Sequence, residues 1–214
     1  MIKSKKELKL YIMADRVMNG YPEKPTFMER IKESICIGGG NVLIIKYLLH
    51  LRKYAYFRNT HKSMLSLNTV LMFIERYKYE RYALKLGFSI GYNSLGYGVV
   101  IPHYGTIVVN GASYIGPFSV LHTCTCVAGG GKTIGEGLYL STGSQIVGEG
   151  YTIGNNVTVA SHTLVNKPFT DNVLVVGVPA KCKRENYPKW WERDGEDYIK
   201  RVEKVKMIFN GASK

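Results

Sequence analysis

No apolar run in this sequence reaches the roughly 20 residues of a spanning helix, so a membrane-spanning protein is not expected. Cysteine is sparse. Cys36, Cys124, Cys126 and Cys182 offer one C-x-C and no second pair to complete a zinc pattern. Reduced thiols are therefore expected. The opening MIKSKKELKL is basic but has no apolar h-region. No secretory signal is expected, and a cytoplasmic protein is the default. Low hydrophobicity is also missing: at 45% hydrophobic residues the chain does not have a disordered composition, and 214 residues suffice for a sizeable core.

Charge is nearly absent from the middle of the chain. Residues 1–86 hold 17 Lys/Arg and 7 Asp/Glu; residues 87–180 hold 2 and 3; residues 181–214 hold 10 and 6. The net charge of +13 thus sits in the two flanks, and the shift marks out three segments. They are an α-helical segment 1–87, a central domain 88–183 and a helical extension 184–214.

The first segment carries helix signals. Ser4 with Glu7, and Thr26 with Glu29, are capping boxes. Gly20 is read as the end of the first helix and Gly38-Gly39-Gly40 as the stop of the second. Asn41 is placed as the cap of a third, reaching about Phe57. A fourth is expected from about Lys62 to Lys85, ended by Gly87. In the last segment a helix is expected from about Gly195 to Phe209, ending near Gly211.

The middle segment is repetitive. Aliphatic residues recur at Ile115, Leu121, Val127, Ile134, Leu140, Ile146, Ile153, Val159 and Val165, in steps of 6, 6, 7, 6, 6, 7, 6 and 6. Five of the residues that follow are small: Gly116, Ala128, Gly135, Gly154 and Ala160. Each step is one short strand plus a corner, and three successive steps make one triangular coil. The aliphatic residue points inward and stacks on its equivalents; the small one lets the chain turn. Going backward, the next step of 7 lands on Val108, with Ile107 and Val109 adjoining. Ile101 and Ile90 fit more loosely. A sandwich of short strands is the competing fold.

The run Ile101-Pro102-His103-Tyr104-Gly105-Thr106-Ile107-Val108-Val109, the repeats and the ending Val176-Gly177-Val178-Pro179-Ala180-Lys181 resemble the serine acetyltransferase family. More closely, they look like the related enzymes that O-acetylate bacterial surface polysaccharides. The resemblance covers residues 88–183. It implies a mainly β fold, a left-handed parallel β-helix with an α-helical N-terminal segment and a C-terminal helix. It also implies a homotrimer, with acetyl-CoA as acyl donor in a slot between subunits.

Residue by residue, His103 matches the family's general base, an imidazole able to take the proton of a hydroxyl as it attacks a thioester. Pro102 stands where the family has aspartate. His122 falls one full coil of three steps beyond His103 and is a candidate for acceptor binding or proton transfer. Gly129, Gly130, Gly131 and Lys132 resemble the family's Gly-rich cofactor loop. Their spacing excludes a P-loop, whose first glycine would fall on Cys126. Thr142, with Gly143 beside it, and Ser161 match positions that contact CoA. Lys181 and Lys183 are placed to meet its phosphates as point charges. The histidines His103, His122 and His162 raise a zinc reading, which their spacing does not support; no metal is expected.

Two departures point away from serine. No acid stands near Phe88 and Ser89, where the serine enzymes place the aspartate that orients the base. Gly130-Gly131-Lys132-Thr133 replaces their Arg-His pair. A serine zwitterion needs paired charges, so the expected acceptor is a saccharide hydroxyl. Serine O-acetylation is the alternative enzyme reading, and a trimeric binding scaffold the non-enzymatic one. The basic stretch from Lys46 to Lys85 is read as a packed helical cap. Contact with anionic lipid at the inner membrane surface, or with an anionic glycan, is its second reading; no motif supports nucleic acid.

Overall fold

The computed structural model describes residues 1–35, 39–61 and 66–212. Four helices come first: α1 (Lys5–Met18), α2 (Phe27–Ser34), α3 (Gly39–Thr60) and α4 (Leu67–Leu86). Both capping boxes form as expected, with Ser4 Oγ accepting from Glu7 N–H and Thr26 Oγ1 from Glu29 N–H. Gly20 (φ +81°) and Gly87 (φ +78°) follow α1 and α4 in the left-handed conformation that ends helices.

The start of α3 differs from expectation. It opens at Gly39 rather than at an Asn41 cap and continues past Phe57 to Thr60. Gly40 is used for close approach, since a Cβ there would stand 2.5 Å from the Tyr104 ring. Cys36, Gly38 and the expected start of the fourth helix at Lys62 lie outside the described residues.

Beyond Gly87 the chain coils. One sheet runs β1 (Phe88–Ile90), β2 (Ile107–Val109), β5 (Thr125–Val127), β8 (Gln145–Ile146) and β11 (Leu164–Val165). A second holds β3 (Tyr114–Ile115), β6 (Thr133–Ile134) and β9 (Thr152–Ile153). The third holds β4 (Val120–Leu121), β7 (Tyr139–Leu140), β10 (Thr158–Val159), β12 (Leu174–Val176) and β13 (Lys181–Arg184). All pairings are parallel except β12 with β13. That parallel stacking is a β-helix, not a sandwich.

The anchors stack as the period requires: Ile115 on Ile134 on Ile153, Leu121 on Leu140 on Val159, Val127 on Ile146 on Val165. None of the nine is more than 1% exposed. The coil before them is tighter. Val127 pairs with Val109, so the inward residue is Val109 and not Val108, which faces outward between buried Ile107 and Val109. The expected long step fails there because the turn from Val109 to Val127 is one position shorter than the turn from Val127 to Ile146.

Corner glycines are forced by space. A Cβ on Gly116 would run into the Gly135 carbonyl oxygen, and one on Gly135 would lie 2.5 Å from Asn155 Oδ1. Gly116→Ala is therefore expected to destabilise the fold by about 1–3 kcal/mol through overpacking against backbone, read as a lower urea midpoint with unchanged m-value.

The helices close the open end of the prism. Ile44, Tyr47, Leu48 and Leu51 of α3, with Ala83 and Leu86 of α4, continue the core formed by the coil's inward residues. On one flank, α1 packs with Trp190, Trp191, Val202 and Val205 over Phe118 and Val120. These belong to a short helix, α5 (Trp190–Arg193), and the final helix, α6 (Glu196–Ala212). Buried Arg52 ties helices to coil. Its Nε donates to Asp15 Oδ2 (2.7 Å), and its other nitrogens donate to the carbonyls of Leu95 and Gly96 (2.7 and 2.5 Å).

Candidate active site

The three-step period aligns His103, His122, Ser141 and Ala160 in one column, and Thr123, Thr142 and Ser161 in the next. Backbone bonds between coils confirm the alignment from His122 and Thr123 onward. His122 N–H donates to the Leu140 carbonyl, Ser141 N–H to Val159, Gly143 N–H to Thr123 and His162 N–H to Thr142. The columns form one edge of the prism. The chain turns there through Gly105, Cys124, Gly143 and His162, all with positive φ. Gly143 is required, since a Cβ would stand 2.6 Å from the His162 ring.

His103 is exposed and lines a cleft of about 200 Å³. Asn19 and Tyr21, which follow α1, Asn41 and Ile44 of α3, and Tyr198 and Arg201 of α6 supply its other walls. The uncharged coil thus borrows a cation from the C-terminal helix. Arg201 Nη1 donates to the Met18 carbonyl (3.2 Å), and its guanidinium lies 4.9 Å from the Tyr198 ring centre, which fixes it in the wall.

His122 is half-buried, and its Nε2 lies 3.0 Å from Tyr139 Oη. Burial lowers its pKa; Asp194 opposes that, and nearby His103 adds to it. Tyr139, on β7, is held on both sides. The Arg193 guanidinium lies 5.3 Å from its ring centre, and the Asp194 charge acts on its hydroxyl. Burial, then the Asp194 charge, raises its pKa.

The Gly-rich loop occupies the opposite edge of the β5–β8 face. Its glycines are demanded by coil-to-coil packing. A Cβ on Gly129 would collide with the Gly148 oxygen, one on Gly130 with the Gly150 nitrogen, and one on Gly131 would lie 2.7 Å from the Ala112 oxygen. Lys132 is turned inward, at 1% exposure. Its Nζ donates to the carbonyls of Ala128 (2.6 Å), Gly130 (3.0 Å) and Gly148 (2.9 Å), 5.2 Å from the Tyr151 ring centre. Burial pushes its pKa down. In this arrangement its donors hold the loop.

Thr142 and Ser161 are exposed on the histidine edge. That edge runs on to the Gly177–Ala180 turn, where Gly177 N–H donates to Thr163 Oγ1 and Ala180 N–H to the Leu164 carbonyl. Lys181 follows, exposed on β13. The structure thus brings His103, His122, Thr142, Gly143, Ser161 and Lys181 to one edge and sets Gly129–Lys132 on another.

Sequence reasoning missed Tyr139, Asp194 and Arg201. The period carried a signal for Tyr139, which precedes Leu140, the anchor one coil beyond Leu121. No spacing marks the other two, because their positions depend on how the C-terminal helices dock. Among the described residues, no group of three His, Cys, Asp or Glu stands close enough to hold a metal ion, and no single helix is long and apolar enough to cross a membrane.

No protein-family model matches the sequence, and comparison with curated proteins returns no match. Solved structures do match. Serine acetyltransferase from Brucella abortus strain S19 aligns with TM-score 0.57 and 19% identity over 81% of this chain and 68% of that one. Neisseria gonorrhoeae serine acetyltransferase in complex with serine gives 0.57 and 20% over 83% and 70%. A serine acetyltransferase complex with CoA gives 0.56 and 17% over 80% and 67%. At such identities the likeness shows the fold, the left-handed parallel β-helix with helical flanks that the repeats and their resemblance predict.

Proposed function

We propose that this chain is an acetyl-CoA-dependent O-acetyltransferase with His103 as general base. The observation that carries the reading is the His103 imidazole at a cleft, with the His122 imidazole near it, on the β-helix of serine acetyltransferases. The acceptor hydroxyl adds to the thioester carbonyl as His103 removes its proton. The C–S bond then breaks, and the proton goes to the departing CoA sulfur. Thr123, Thr142 and Ser161 form a polar track about two strand spacings (~10 Å) long that points toward Lys181. That track suits the amides of a pantetheine arm, with Lys181 at the phosphate end. The solved neighbour with CoA supports a CoA thioester as donor. Such a donor favours a cytoplasmic setting.

Two acceptors divide the support. The solved neighbours, one of them in complex with serine, favour L-serine; Arg201 gives that reading a cation for a carboxylate. The absence of any Asp, Glu, Lys or Arg from Gly87 to Gly131 favours a neutral saccharide hydroxyl, as does the likeness to polysaccharide O-acetyltransferases. Acetyl-CoA consumption with L-serine, against nucleotide sugars and glycans, decides. Turnover of serine alone removes the saccharide reading, and no turnover with any acceptor leaves the binding scaffold.

We also read the chain as a homotrimer. The exposed apolar residues Leu67, Val70, Phe73, Tyr77 and Leu84 of α4 support burial against another subunit. A lipid or anionic glycan partner for the basic stretch has less support, since Arg76 pairs with Glu80 and Lys53 lies near Glu75. Sedimentation at several salt concentrations tests the assembly.

A further inference from the structure

Helix α2 is amphipathic, and its apolar side is turned away from the protein. Phe27, Met28 and Ile31, with Ile35 that follows the helix, stand 77%, 60%, 40% and 65% exposed, and no residue of α2 is buried. At about 3.6 residues per turn these four fall within an arc of roughly 100°. By the same geometry Glu29 and Glu33 lie on the opposite side, and the protein occupies both. Glu33 accepts from Arg16 Nη1 and Nη2 (3.1 and 2.7 Å), and Glu29 accepts the Thr26 N–H (2.6 Å). Arg16 also donates through Nε to the Pro22 carbonyl (2.8 Å), and Lys46 Nζ donates to the Ser34 carbonyl (3.1 Å). These bonds pin α2 to α1 and α3 with its apolar face outward.

The charges around that face decide what can cover it. Arg30 and Lys32 border the apolar arc on its two sides, and both are exposed, as is Lys24 just before the helix. On the Arg30 side a groove of about 540 Å³ opens between α1, α2 and α3, lined with apolar surface by Leu8, Ile12, Met13 and Leu49. Its charged lining is mainly cationic: Lys5, Lys9, Lys24 and Arg30 stand beside Glu23, while Glu33 is taken by Arg16. A second copy of the chain would bring the same cations face to face. An apolar strip bordered by cations instead matches a bilayer of acidic lipid, whose phosphates lie above its acyl chains. Long basic side chains reach those phosphates while their stems stay in the apolar layer.

We propose that α2 is a membrane-surface anchor. It seats Phe27, Met28, Ile31 and Ile35 at the boundary between headgroups and acyl chains of an anionic bilayer, while Lys24, Arg30 and Lys32 meet lipid phosphates. The helix lies on the bilayer and does not span it, since its 8 residues are far short of the roughly 20 that a span needs. It lies ahead of the basic stretch 46–85, whose cations are not part of the contact. The anchor is independent of the acetyl-transfer reading, and it brings the coil to molecules held at that surface.

Flotation of the full chain with lipid vesicles tests the anchor. Vesicles of phosphatidylcholine with about 30% phosphatidylglycerol should carry the wild type, and vesicles of phosphatidylcholine alone should bind it more weakly by about tenfold or more. Phe27→Ser combined with Ile31→Ser should cut binding to the anionic vesicles by about tenfold or more. Circular dichroism should not change, because both side chains are exposed. Phe27→Leu with Ile31→Leu keeps the face apolar and should keep the binding. Arg30→Gln with Lys32→Gln should weaken it roughly 30-fold, the effect of two cations near an anionic surface, and added salt should weaken the wild type in the same direction. A wild type that does not float with anionic vesicles overturns the anchor. So does flotation that survives the paired serine replacements. Without vesicles, a wild type that sediments as a larger assembly than the serine variant gives the face to a second copy and overturns it too.

Discussion

Replacing His103 by alanine is expected to lower kcat/KM for acetyl transfer roughly 10²–10⁴-fold, the range for loss of a positioned general base. A hydroxyl is a weak nucleophile at neutral pH, and the uncharged coil around His103 supplies no carboxylate or lysine to replace it. The loss should fall on kcat, since binding of both substrates draws on other residues. The variant should fold normally, because His103 is exposed at the cleft mouth and the coil there is held by its neighbours: Ile101 in the core, and Gly105 N–H donating to the Leu86 carbonyl. An unchanged rate, with unchanged circular dichroism, would assign the base elsewhere.

The largest expected loss of stability comes from Asp15→Ala. Asp15 is buried, accepts two bonds from Arg52 (2.7 and 3.2 Å) and accepts the Gly98 N–H (2.8 Å). Burial pushes its carboxyl pKa up, while the Arg52 guanidinium pulls it back. Removing it leaves Arg52, itself 1% exposed, with a buried charge and no anion. Breaking one partner of a buried pair costs about 3–5 kcal/mol. For a chain of this size that corresponds to a fall in melting temperature of roughly 6–20 °C. A double replacement of Asp15 and Arg52 by apolar residues should recover much of the loss. If Asp15→Ala melts within a degree or two of wild type, the pair does not secure the helices to the coil. Because Gly98 and Asn19 flank the route from Asp15 to the His103 cleft, the variant should also lose activity before it loses helical signal.

Much of the fold was written in spacing. An inward aliphatic residue every six or seven positions, followed by a residue small enough to turn, has few packings other than a three-sided coil, and nine such positions in a row are buried together. The edge of the prism was equally legible. The three-step period places Thr142 under Ser161 whatever the flanks do, and it puts His103 on the same edge as His122. Where one coil closes a position early, the reading slipped from Val109 to Val108, because sequence shows which residues are apolar but not how tightly a coil closes. The Gly-rich loop was open to two readings for a related reason. Glycine permits a ligand to approach, and it equally permits a neighbouring coil; only the position of the Gly148 oxygen, where a Cβ of Gly129 would have to go, shows that the coil is there.

The sequence by itself therefore determined the coil, the stacking of its anchors and the column on which both histidines stand, since these follow from local periodicity. The tertiary structure alone decided that Lys132 faces inward, that Arg201 walls the His103 cleft and that Asp194 comes near Tyr139. Each of those depends on contacts between segments distant in the chain, where docking of buried tryptophans and pairing of buried charge, rather than any spacing, set the geometry.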